Sequence, residues 1–323
     1  MKTVRWGIIG CGDVTEVKSG PGFQKARNSQ LVAVMRRNGR LAEDYARRHG
    51  VPKWYDAADA LINDNEVDAV YIATPPNSHK EYALAVARAG KPAYVEKPMA
   101  MNHRECVEMV DVFRKNNLPL FTAYYRRGLP RFLRVKAMID DGSIGEVRAV
   151  VVRFFQRPSA KDQSRAANWR TDPAIAGAGY FFDLGSHMLD LLQYFFGPVK
   201  GAAGFSSNRL KLYDAEDCVS ASFQFENGVQ GVGMWDFGSG EDLDMTEIVG
   251  SSGKISYATF LDQPVVLQRG RGVEEILIPH PDHVQQPLIQ TVVDELTGVG
   301  KSLSTGSTGA HTSWVMDRIL GRV

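Results

Sequence analysis

The hydrophobic pattern changes character once along the chain. Through the first 120 or so residues, unbroken apolar runs alternate with helical spacing. Val4–Ile9, Leu31–Met35, VDAVYIA at 67–73, Ala93–Val95 and Pro119–Thr122 read as strands, and the unbroken apolar run of VDAVYIA as one covered on both faces. Between them Leu41–His49, Ala57–Ile62, Glu81–Ala89 and Arg104–Asn116 carry helical periodicity, and a segment reaching Ala26 is interrupted by Pro21 and Gly22. Strictly alternating elements predict right-handed crossovers and a parallel, doubly wound sheet of the Rossmann type.

Beyond Thr122 the period shifts. Pro130 opens a helix with Phe132, Val135 and Ile139 on one face, and Gly142 closes it. Then EVRAVVVRFFQ, DCVSASFQFENG, VQGVGMWDF, TEIVGSSGKISY and PVVLQRG alternate as antiparallel strands do, with a hairpin turn at Asn227-Gly228. Helical stretches lie near 180–195, 287–298 and 310–320. The fold class is therefore α/β: a doubly wound domain over 1–122, then an α+β domain over 123–323 around a large, mainly antiparallel open sheet.

Composition narrows the function without naming it. The 323 residues carry 38 basic and 37 acidic side chains, a net charge of +1. That balance gives no reason to expect nucleic acid or an anionic membrane as partner. Cys11, Cys106 and Cys218 form no CxxC pair, so neither a zinc ribbon nor a disulfide framework is indicated, and a reducing cytoplasm is the expected compartment. No signal peptide is read at the start, and no apolar run approaches the ~20 residues that span a bilayer. KSLSTGSTG at 301–309 reads as a loop before a last helix.

Four stretches carry candidate chemistry. GIIGCGDVT places Gly10 and Gly12 after a strand. The first glycine suits a tight turn, and the second lets backbone approach a pyrophosphate at the start of the next helix. Thr15 replaces the usual third glycine, and a plain glycine turn of a flavodoxin-like sheet is the alternative. ATPPNSH, at 73–79, is a strand-end turn stiffened by Pro75 and Pro76; it is either part of the ligand crevice or an ordinary connection. In YVEKPMA, Lys97 follows a short strand, and Pro98, cis or trans, holds it extended. Lys97 either points into the crevice to stabilise alkoxide charge or is a surface lysine paired with Glu96. In GAGYFFDLGSHMLDLL, Asp183 and His187 share a face if helical. Asp183, or Asp190 three residues on, would fix the tautomer of His187 as a general base; a buried structural histidine and a zinc site are the alternatives.

Taken together, GIIGCG, ATPPNSH, the EKP of Glu96-Lys97-Pro98 and the D-x-G-x-H of Asp183 to His187 resemble the glucose-fructose oxidoreductase, inositol dehydrogenase and MocA-type (Gfo/Idh/MocA) oxidoreductases over nearly the whole length. The resemblance implies hydride transfer between a nicotinamide cofactor and a hydroxyl or carbonyl carbon of a sugar, cyclitol or related diol. It implies Lys97, Asp183 and His187 as catalytic, with no metal. It implies cofactor contacts from Gly10, Gly12, Asp13, Val14, Arg36, Arg37, Thr74, Pro75, Asn77, His79, Glu96 and Lys97. Tyr125 and Arg126 of YYRR, with Trp169 and Arg170, match stretches that shape the family's substrate pocket, and a homodimer or homotetramer is expected. One departure concerns the cofactor. Many members that use NAD carry Asp after the second strand, where this chain has Arg36 and Arg37, so NADP(H) is favoured over NAD(H), with Asn38 and Arg40 as further donors. GAG at 177–179 replaces the common GGG. No tyrosine has lysine four residues on, which argues against a short-chain dehydrogenase. The remaining alternatives are a non-catalytic NADP(H) sensor and a hydrolase or dehydratase that retains its NAD.

Overall fold

The structure is a computed structural model, described here for residues 3–323. The first sheet has six parallel strands: β1 (Val4–Ile9), β2 (Ser29–Met35), β3 (Lys53–Tyr55), β4 (Ala69–Ile72), β5 (Ala93–Val95) and β6 (Leu120–Thr122). Their spatial order is β3-β2-β1-β4-β5-β6, so the order reverses between β1 and β4. Ligands of open α/β sheets bind outside the carboxyl ends of strands at such a switch point. The predicted Rossmann sheet is present, with β3 as a strand that the apolar pattern did not mark. Lys53, Trp54 and Tyr55 are none of them buried, which is why no apolar run announced it. An aromatic cluster of Trp6, Phe23, Tyr71 and Tyr94, fully buried, fills one side of the sheet, with ring centroids 4.8–6.5 Å apart.

The second sheet has eight strands: β7 (Val147–Phe155), β8 (Val199–Ser207), β9 (Cys218–Phe225), β10 (Gln230–Asp236), β11 (Leu243–Gly250), β12 (Lys254–Tyr257), β13 (Val265–Arg269) and β14 (Gly272–Ile276). Their order is β14-β13-β12-β11-β7-β10-β9-β8. Every neighbouring pair is antiparallel except β7 with β10, which run parallel. The hairpin at Asn227-Gly228 closes with Gly228 at φ 91°, a position that favours glycine. The helix Ser186–Phe196 is buried along nearly its whole length. Met188 Sδ accepts from Trp235 Nε1 of β10 at 3.2 Å, seating that helix on one face of the sheet.

The division into compact units departs from the sequence expectation of a break near Thr122. One unit runs to Leu129 and takes back Pro281–Ala310; the other comprises Pro130–His280 and His311–Val323. The cause lies in the helix Gln286–Leu296. It buries Leu288, Ile289, Val292 and Val293 within the first unit. Gly22 and Gly128 admit it: a Cβ on Gly22 would stand 3.0 Å from Ile289 Cδ1, and one on Gly128 2.9 Å from the Leu288 amide. No helix among the described residues is long and apolar enough to cross a membrane.

Candidate active site

The carboxyl ends of β1, β2, β4 and β5 bring together most of the residues expected to hold a cofactor. After β1, Gly10 sits at φ +90°, and a Cβ there would lie 2.8 Å from Thr74 Cγ2 and 3.0 Å from the Ala73 carbonyl carbon. Only glycine allows this approach of the two strand-end turns. Gly12 differs: a Cβ would meet nothing nearer than the Gly10 oxygen at 3.9 Å. Its backbone is extended and bare, and Asp13 and Val14 open the short helix that follows. Thr15, the departure from the glycine fingerprint, is fully buried, and its hydroxyl donates to the Gly12 carbonyl at 2.7 Å. Its own carbonyl accepts from Tyr45 at 2.8 Å, so the threonine ties the turn to the next helix. Burial pushes the Tyr45 phenol up to about 12 and the Cys11 thiol up to about 11, so both stay neutral in ordinary buffers.

Arg36 and Arg37 end β2 and are exposed. Arg36 Nη1 lies 3.5 Å from the Cys11 carbonyl, so its guanidinium leans toward the glycine turn. Asn38 serves the chain itself: its Oδ1 caps the helix Gly39–His49 through the Leu41 amide at 3.3 Å. The structure also brings in a carboxylate that the local sequence does not show. The Arg36 amide donates to the Tyr55 carbonyl at 3.2 Å, and Asp56 follows. A Cβ on Gly39 would lie 3.8 Å from Asp56 Oδ2 and 3.3 Å from the Trp54 ring. Missing β3 hid this neighbour.

The ATPPNSH turn packs against the EKP segment. Pro75 and Asn77 are exposed, whereas His79 is fully buried. Its Nε2 lies 2.7 Å from the Thr74 carbonyl and its Nδ1 3.0 Å from the Pro98 carbonyl. A neutral imidazole donates through one nitrogen only. Burial pulls the pKa of His79 down, while the two carbonyls favour the charged ring. The Lys97–Pro98 peptide bond is cis. Glu96 turns inward, 7% exposed. Its Oε1 accepts from the Tyr71 hydroxyl and from Gln285 Nε2 at 2.7 Å, and its Oε2 accepts from the Lys97 amide at 3.1 Å. Tyr71 and Gln285 were not candidates on sequence. A tyrosine inside the apolar run VDAVYIA was the one available signal; nothing in the sequence links Gln285 to this turn. In the same unit Tyr125 and Arg126 are buried, with the Arg126 guanidinium 5.2 Å from the Tyr125 ring centroid.

In the second unit, Asp183 does not lie in a regular α-helix. Phe181–Gly185 forms a π-helical turn that runs into the α-helix Ser186–Phe196. Such turns are rare and concentrate at functional sites. Asp183 Oδ2 stands 3.3 Å from Arg170 Nε, and the Arg170 guanidinium lies 4.5 Å from the centroid of Trp169. His187 is 3% exposed and meets the Phe260 ring edge-on at 5.9 Å. Asp190, 1% exposed, accepts from the Thr312 hydroxyl at 3.2 Å, and that hydroxyl accepts from Gln193 at 2.9 Å. No group of three or more His, Cys, Asp or Glu among the described residues could hold a metal ion.

Residues 4–124 match the oxidoreductase family with an NAD-binding Rossmann fold, and residues 132–256 match the GFO/IDH/MocA C-terminal domain. The chain belongs to this family. The oxidoreductase P35 of Formosa agariphila is 39% identical over 98% of each chain. The trans-1,2-dihydrobenzene-1,2-diol dehydrogenase of Mus musculus is 32% identical over 71% of this chain and 67% of its own. A levoglucosan dehydrogenase solved with NADH and levoglucosan superposes with a TM-score of 0.88, at 22% identity, over 99% of this chain and 97% of its own. The chain is thus a GFO/IDH/MocA oxidoreductase, as the four motifs implied.

Proposed function

We propose that this GFO/IDH/MocA protein is a dehydrogenase or reductase of sugars, cyclitols or related diols, using NADP(H) in preference to NAD(H). The observation that carries the reading is the joining of Gly10, Thr74, His79 and the EKP segment at one edge of the sheet. The glycine turn fits a dinucleotide: Gly12 presents bare backbone on a side where a Cβ would find open space. Asp13, Val14, Pro75 and Asn77 border it. When bound, the nicotinamide supplies the hydride acceptor or donor. The protein supplies the proton and the charge. Lys97 stabilises negative charge on the substrate oxygen as the C–H bond breaks, and His187 takes the hydroxyl proton. Asp183 orients His187 and favours its charged form. In reduction His187 returns the proton. Tyr125, Arg126, Trp169 and Arg170 are assigned to substrate recognition; Trp169 and Arg170 together offer an aromatic face and a cation, a pairing that suits polyhydroxylated rings.

The protein associates with copies of itself through the open face of its eight-stranded sheet. That face exposes Val232 and Met234 of β10 and Val249 of β11 by 51, 41 and 36%, next to Val151 of β7. Contiguous exposed apolar residues on a sheet mark an interaction surface. Turnover of levoglucosan, trans-1,2-dihydrobenzene-1,2-diol and myo-inositol with both cofactors tests the reading. Oxidation of one or more is expected; tight cofactor binding with no turnover on a wider sugar and diol panel would replace the enzyme by a sensor.

A further inference from the structure

A buried carboxylate rarely lies beside a proposed catalytic residue without a role, and Glu96 has three donors converging on it. Tyr71, on β4, and Gln285, at the start of the returning helix, both donate to Oε1; the Lys97 backbone amide donates to Oε2. Glu96 is 7% exposed, Gln285 and Tyr71 fully buried. Charge-assisted bonds to a carboxylate are the stronger class of hydrogen bond, and burial strengthens them. The Tyr71 ring is itself fixed, 5.1 Å from Phe23 and 5.2 Å from Tyr94. Beyond Lys97 the chain is held again, because the Pro98 carbonyl meets His79. The lysine therefore leaves a backbone pinned on both sides, and the pin on the amide side reaches two elements remote in sequence.

We propose that Glu96 is a positioning residue, clamped by Tyr71 and Gln285, that fixes the backbone from which Lys97 projects. Its carboxylate is committed inward to these donors. The proposal rests on the assignment of Lys97 to the transition state. A displacement of about 1 Å at such a group costs on the order of 10²-fold in rate. The return of residues 281–310 to the first unit, held by the apolar face of the helix Gln286–Leu296, also delivers Gln285 to the carboxylate.

Two measurements test it. Tyr71→Phe removes one donor and keeps the ring; Gln285→Met removes the other. The first readout needs no substrate or cofactor: exchange of the Lys97 amide proton, followed by NMR in the full-length protein. Each variant is expected to speed that exchange at least tenfold, with Tm within a few degrees of wild type. Exchange within twofold of wild type in both would overturn the clamp. The second readout is kcat on the best substrate of the panel. Each variant is expected to lose at least tenfold in kcat with cofactor Kd within threefold, and to lose nothing further in a Lys97→Met background. Fast amide exchange with unchanged kcat would also overturn the positioning role. A Lys97→Met enzyme that keeps its kcat would remove Lys97 from the mechanism, leaving the amide exchange to judge the clamp alone.

Discussion

Arg170 Nε stands 3.3 Å from Asp183 Oδ2. This contact joins two residues that the sequence separates by the short helical turn Pro173–Ala176 and a loop. It gives the carboxylate of the D-x-G-x-H motif a cationic neighbour that holds it in place. A carboxylate held in place is what would orient His187 as the proposed general base. Arg170→Met is therefore expected to lower kcat several-fold while leaving cofactor Kd unchanged. Loss confined to KM would make Arg170 a substrate contact only.

Asp183 and His187 are expected to act as one unit. His187→Ala and Asp183→Ala should each cut kcat by about 10²-fold or more. The double variant should lose far less than the product of the two. Fully multiplicative losses, or a wild-type rate in either single variant, would contradict coupling. Activity should survive chelators; loss with chelator that zinc restores would revive a metal site.

Lys97→Met should bind cofactor nearly as wild type and lose kcat by a factor on the order of 10²–10⁴. More than about a third of wild-type kcat in that variant would end the assignment.

The sequence made five of the six strands of the first sheet legible because they are largely buried, and unbroken apolar runs such as VDAVYIA announce that burial. It also revealed the glycine turn and the EKP and D-x-G-x-H motifs, because their chemistry is local. Among the features that escaped, three did so for clear physical reasons. β8 is built from Gly, Ala and Ser (VKGAAGFSS), residues without strand propensity, and pairing with β9 makes it a strand. β3 lacks buried side chains, so its Asp56 was not connected to Arg36. Gln285 reaches Glu96 across 189 positions, and no local pattern encodes such a contact.

Acid stability should carry a signature of the helix beside the glycine turn. Hydrogen bonds from Arg48, at 2.7 Å, and from His49 hold the Glu16 carboxyl down at about 2, from an ordinary 4.5. A depressed carboxylate contributes stability that is complete above its unfolded pKa and is lost as pH falls through its folded one. The contribution is thus full above pH 4.5 and disappears between 4.5 and 2. The side chain is about one-third exposed, which screens the pair and limits it to roughly 0.5–1 kcal/mol. Glu16→Gln should lower Tm at pH 7 and leave it unchanged near pH 2; an equal loss at both values would assign the effect to packing.

Light scattering should show an oligomer. Val232→Lys with Met234→Lys places charge in the middle of the open sheet face and should shift the mass toward a monomer without changing the far-UV spectrum. A wild-type monomer throughout the micromolar range would defeat the assignment of that face.

Cofactor choice is expected to turn on charges of opposite sign that follow β2 and β3. A carboxylate at the end of β2 accepts hydrogen bonds from the adenosine ribose and repels a 2′-phosphate. Residues 31 to 42 contain none; Arg36 and Arg37 occupy the place. A guanidinium offers a planar fork of donors matched to phosphate oxygens, and its face can stack on adenine. Asp56 is the competitor, brought alongside by β3 and close to Gly39. The arginines follow β2 directly, and Arg36 leans toward the glycine turn, 3.5 Å from the Cys11 carbonyl. We therefore assign the decision to Arg36. Wild type should show the higher kcat/KM with NADPH than with NADH. Arg36→Asp removes an attraction and adds a repulsion, and should reverse the order. Asp56→Asn should leave the order as it is, because the arginines still meet the phosphate. If Asp56 governs instead, wild type will use NADH as well as or better than NADPH, and Asp56→Asn will move the ratio toward NADPH.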